Sequence, residues 1–69
     1  MVEVFKTNIQ QQKQAEILVG VLSNYFPLTR INFDLEDCDK VLRVEGKIVL
    51  PERIMEILNS EGFYCTILE

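Results

Sequence analysis

Residues 30–45 read RINFDLEDCDKVLRVE, and this stretch decides the fold. In its first half Ile31, Phe33 and Leu35 alternate with Asn32, Asp34 and Glu36. That is the two-residue period of a strand with one apolar face and one wet face. Asp37-Cys38-Asp39 supplies turn residues. The chain returns as KVLRVEG, residues 40–46, where Leu42 and Val44 oppose Arg43 and Glu45. Two alternating runs joined by a short polar turn predict an antiparallel hairpin.

Upstream of the hairpin, residues 2–7 (VEVFKT) are rich in β-branched and aromatic side chains and predict a strand. Thr7 or Asn8 can cap a helix, with Gln10 or Gln11 three residues later. From about Gln10 to Tyr25, Ala15, Leu18, Val19, Leu22 and Phe26 recur at helical spacing, widened by Ile17 and Val21. Gly20 lies inside this helix at a cost of roughly 1 kcal/mol relative to Ala, and Pro27 ends it. Downstream, Pro51 opens a second helix where its missing N–H costs nothing. Ile54, Ile57 and Leu58 form that helix's apolar face, and Gly62 is a left-handed stop. The last run, FYCTILE, reads as a strand with Cys65 and Ile67 on the face opposite Thr66.

The order is β-α-β-β-α-β, an α+β pattern filling one domain over residues 1–69. Right-handed crossovers favour the ferredoxin-like sandwich, an antiparallel sheet ordered 4-1-3-2 with both helices on one face. Ile31, Phe33, Leu35, Leu42, Val44 and Ile67 should then face Leu18, Leu22, Ile54, Ile57 and Leu58. Three connections should meet at one end of the sheet: residues 7–12, 37–39 and 60–63.

Over nearly its whole length, and best from Ile31 to Leu68, the chain resembles the heavy-metal-associated (HMA) domains of copper chaperones and metal-transporting ATPases. The likeness lies in the alternating strand, the short acidic turn, the helix with P-E-x-I-x-x-I-L at residues 51–58, and E-G-F/Y leading into the last strand. It implies the fold. The family carries M-x-C-x-x-C in the first loop, where two thiolates grip a soft ion such as Cu(I). Here Thr7-Asn8-Ile9-Gln10-Gln11-Gln12-Lys13 has neither the cysteines nor the methionine, so no metal ligand or cofactor carries over.

The net charge is −4 and the sequence pI about 4.7, with seven Lys and Arg residues scattered singly. A nucleic-acid or anionic-membrane partner is disfavoured, since phosphate contacts call for a basic stripe. The N-terminus, MVEVFKTN, has no apolar core of a secretory signal, and a cytoplasmic location is expected. The longest apolar run, Ile17 to Leu22, is far below the ~20 residues that span a bilayer. The chain has no histidine, which removes the usual general base and the commonest metal ligand. No P-loop, G-x-G-x-x-G or G-x-S-x-G occurs, so an enzyme is not expected.

Four features are candidates for function. Cys38 reads as an exposed loop cysteine between two acids; the alternative is a reactive or metal-touching thiol. Cys65 reads as a small buried hydrophobe. Three strand spacings separate the two, too far for a disulfide. Asp34, Glu36, Asp37 and Asp39 read as a solvated face rather than a hard-cation site. The open sheet face should carry Glu3, Phe5 and Thr7, then Asn32, Asp34 and Glu36, Val41, Arg43 and Glu45, and Tyr64, Thr66 and Leu68. On it, Phe5, Val41 and Tyr64 should cluster, a patch that is either cross-strand packing or an interaction surface. With so few aromatics and an acidic composition, this face does not suit RNA. The expected function is a non-enzymatic HMA-like module for protein interaction or regulation, with a homodimer or another protein as partner. The alternative is a soft-metal protein that uses Cys38 across a dimer.

Overall fold

A computed structural model describes residues 1–68. Strand β1 (Val2–Thr7) leads to helix α1 (Gln12–Tyr25), then β2 (Arg30–Asp34), β3 (Val41–Glu45), helix α2 (Pro51–Ser60) and β4 (Cys65–Ile67). The four strands form one antiparallel sheet in the order β2-β3-β1-β4. Counted from the β4 edge, the same neighbours read 4-1-3-2.

Each helix starts and stops for a local reason. Pro51 stands in the first turn of α2, where no donor is needed. At its far end Gly62 adopts a φ of 92°, and the Phe63 N–H reaches back to the Leu58 carbonyl at 3.0 Å. This left-handed turn closes the helix and swings the chain into β4. Helix α1 begins later than the pattern predicts, and its N-cap, Gln11, makes no side-chain cap bond. Thr7 and Asn8, the expected caps, are engaged elsewhere.

Ala15, Leu18 and Leu22 of α1 and Ile54, Ile57 and Leu58 of α2 join one core with Phe5, Leu42, Val44 and Cys65. The sheet residues of this core share a face, because Phe5 pairs with Leu42 and Ile67, and Leu42 with Phe33. Both helices therefore cover the same side. Ile31, Phe33 and Leu35 are only half-buried, as befits the outer strand β2 and its turn, and Ile67 on the other edge is exposed.

The expected facing of β1 fails. Phe5 does not lie on the open face: it is fully buried in the core, and Thr7 is buried with it. Strand β1 runs in the opposite facing to the one expected, so Val2, Val4 and Lys6 take the open side. VEVFKT has apolar residues on both faces, and alternation alone does not choose between them. The structure chooses the larger side chain for the core. Phe5 fills the middle of the sheet, while Glu3 is half-exposed at the strand's start.

Candidate functional site

The three connections do meet at one end, and hydrogen bonds tie them together. The Thr7 N–H donates to the Asp39 carbonyl at 3.1 Å, and the Thr7 hydroxyl donates to the Lys40 carbonyl at 2.5 Å. That hydroxyl also accepts the Ile9 N–H at 3.3 Å. Asn8 Oδ1 accepts the Tyr64 N–H at 2.9 Å, joining the first loop to the α2–β4 link. Thr7 and Asn8 thus fasten loops rather than cap α1.

Next to them, Ile9 is fully buried and belongs to the core. The β1–α1 loop thus turns an aliphatic side chain inward. The sequence reading missed Ile9 because a lone apolar residue among Asn and Gln carries no periodic signal. Val49, just before α2, is buried for the same unsignalled reason.

Cys38 is exposed in the β2–β3 turn. Its Sγ and one carboxylate oxygen each from Asp37 and Asp39 all lie within 4.8 Å of one another. The turn is internally held: the Asp39 N–H donates to Asp37 Oδ1 at 2.9 Å, and Lys40 Nζ donates to the Leu35 carbonyl at 2.8 Å. Lys6 Nζ sits 3.7 Å from Asp39 Oδ1 across the open face. Lys40 itself takes a φ of 47°, which lets the chain turn from the loop into β3.

Cys65 is buried opposite Thr7 on β4. Burial pushes its thiol up to about 12, so it stays protonated and unreactive near neutrality. The two cysteines are both free and lie toward opposite edges of the sheet.

Of the expected patch, Val41 lies on the open face, Phe5 is core, and Tyr64 is exposed in the link before β4 rather than in a strand. The face instead presents Val4, Val41 and Leu68, which line a shallow depression with Asn32, Asp34, Asp37 and Arg43 and, at the β2 edge, Phe33. All three apolar residues are half-buried without any layer above them. Positions 2, 4 and 6 of β1 and 41, 43 and 45 of β3 place no aromatic there.

At the far end of the molecule, Leu28 is 94% exposed and Ile48 70%. They flank an apolar groove with Phe26 and Pro27. Apart from Phe26, which ends the α1 pattern, these residues sit in loops outside any periodic pattern, so only the fold brings them together. Here Gly46 lets β3 approach Thr29 closely: a Cβ on it would lie 2.8 Å from Thr29 Cγ2, so the threonine would have to shift.

No family model matches the chain, and no curated protein or solved structure shows significant similarity to it. No helix among the described residues is long and apolar enough to cross a membrane.

Proposed function

We propose that this chain is a non-enzymatic interaction or regulatory module on a ferredoxin-like, HMA-like scaffold, whose open sheet face receives a protein partner. The observation that carries the reading is the uncovered centre of the sheet, where Val4, Val41 and Leu68 form a depression rimmed by Asn32, Asp34 and Arg43. An apolar centre inside a polar rim is the usual anatomy of a modest protein interface. The burial of Ile9 in the first loop supports a role other than the family's metal transfer.

The test is Val4→Glu. Val4 pairs with Arg43 across the strands, so the new carboxylate has a partner and the fold should persist. A pull-down against the cognate extract should lose its partner, with the far-UV circular dichroism unchanged. Unaltered capture by the folded variant would remove this face from consideration.

A second reading rests on the turn itself, where one thiol and two carboxylates converge. One thiolate is too few for a soft ion, but two copies would supply a pair. Competition of the protein against a Cu(I) chelator should then show one ion per two chains, lost in Cys38→Ser. No uptake would leave the open-face reading alone.

A further inference from the structure

Strand β2 is an outer strand of the sheet. The hydrogen bonds of the neighbouring strands fix which of its backbone groups are free. Met1 and Gly46 exchange bonds, with the Gly46 N–H on the Met1 carbonyl at 2.9 Å, so Gly46 points toward β1. Successive residues of β3 alternate, which turns Glu45, Arg43 and Val41 toward β2. Their partners are Arg30, Asn32 and Asp34. The N–H and C=O groups of Ile31 and Phe33 therefore point outward. Among the described residues, no group outside the sheet hydrogen-bonds to them.

Outer strands usually carry charges or bulges that repel a second strand. The charges of β2 do the opposite. Its sequence, Arg30-Ile31-Asn32-Phe33-Asp34, is complementary to its own reverse. Laid antiparallel about Asn32, a second copy places its Asp34 opposite Arg30 and its Arg30 opposite Asp34. It also sets Phe33 opposite Ile31 on the helix side and Asn32 opposite Asn32. The hydrogen-bond parity agrees. Ile31 and Phe33, the two residues with free groups, face each other as bonded pairs, and the charged residues fall at the close, non-bonded pairs. Half-exposed Ile31 and Phe33, which line a groove with Ala15 and Val19 of α1, would gain cover. The other outer strand, β4, spans only three uncharged residues and offers no such match.

We propose that two copies of this chain pair β2 to β2 in this register, forming one continuous sheet of eight strands. The joint runs along the edge of the sheet; it shares Asn32 and Asp34 with the rim of the open face proposed above, but not Val4, Val41 or Leu68. The two Cys38 thiols would lie at opposite ends of the joint, so this dimer is not the metal-bridged one.

Sedimentation velocity over a concentration series tests it, with circular dichroism on every variant. Arg30 and Asp34 are exposed, so their substitution spares the core. Arg30→Asp and Asp34→Arg should each weaken the dimer about tenfold or more, since two symmetric pairs become repulsive. The double variant R30D/D34R restores complementarity and should recover the dimer. In the wild type, amide exchange at Ile31 and Phe33 should slow as protein concentration rises. A wild-type chain that stays monomeric at millimolar concentration overturns the proposal. So does a dimer indifferent to both single reversals, or a double variant no better than the singles.

Discussion

Strands β1 and β2 both set aromatic side chains toward the helices, yet they declare their facing very differently. In β2 every second residue is polar, and the expected facing of Ile31 and Phe33 matches the observed one. In β1, Val2 and Val4 compete with Phe5, and the simpler guess is the wrong one. The difference follows from composition. Polar residues mark the open face of β2 and of the central strand β3, whereas the open face of β1 begins with two valines that read like core residues.

The sharpest way to break this comparison is at Phe5. Phe5→Ala should cost about 3–5 kcal/mol in urea unfolding, and Phe5→Asp should prevent folding, because the side chain is wholly enclosed. The neighbouring Val4→Glu should leave the domain folded. A folded Phe5→Asp beside an unfolded Val4→Glu would mean that β1 faces the other way.

A smaller effect belongs to the end of the same strand. Thr7 is buried and its hydroxyl serves both the Lys40 carbonyl and the Ile9 N–H. Thr7→Val keeps the shape and orphans both groups, at about 1–3 kcal/mol, whereas Thr7→Ser keeps the hydroxyl and most of the stability. Similar losses for the two variants would point to packing rather than hydrogen bonding as the tie between the loops.

The smallest effect lies across from Thr7, at Cys65. Its thiol shifts from 9.0 up to about 12 through burial alone. The unfolded chain releases this proton as pH passes about 9, while the folded chain holds it. The group's contribution is therefore intact below that pH and declines as pH rises toward the folded value. Cys65→Ala lacks this component. The gap between wild-type and variant unfolding midpoints should narrow from neutral pH to about pH 10.5, and a constant gap would contradict the burial.

Element order and most of the helix core, Leu18, Leu22, Ile54, Ile57 and Leu58, were legible because periodicity over a helix leaves little choice. So were the inward residues of β2 and β3 and the turn at Gly62. The candidate site was legible only in part. Cys38 stands exposed in its turn and Val41 on the open face as expected, but the patch around Val41 is built from Val4 and Leu68, not Phe5.

By itself, the sequence determined the kinds of element, their order and the strict two-faced character of β2, all of which are properties of a few neighbouring residues. Only the tertiary structure decided the facing of β1, the inward turn of Ile9 and Val49, and the use of Thr7 and Asn8 as fasteners between loops. Those choices depend on residues more than thirty positions away. A side chain such as Phe5 has no preferred face until Leu42 and Ile67 arrive on either side of it.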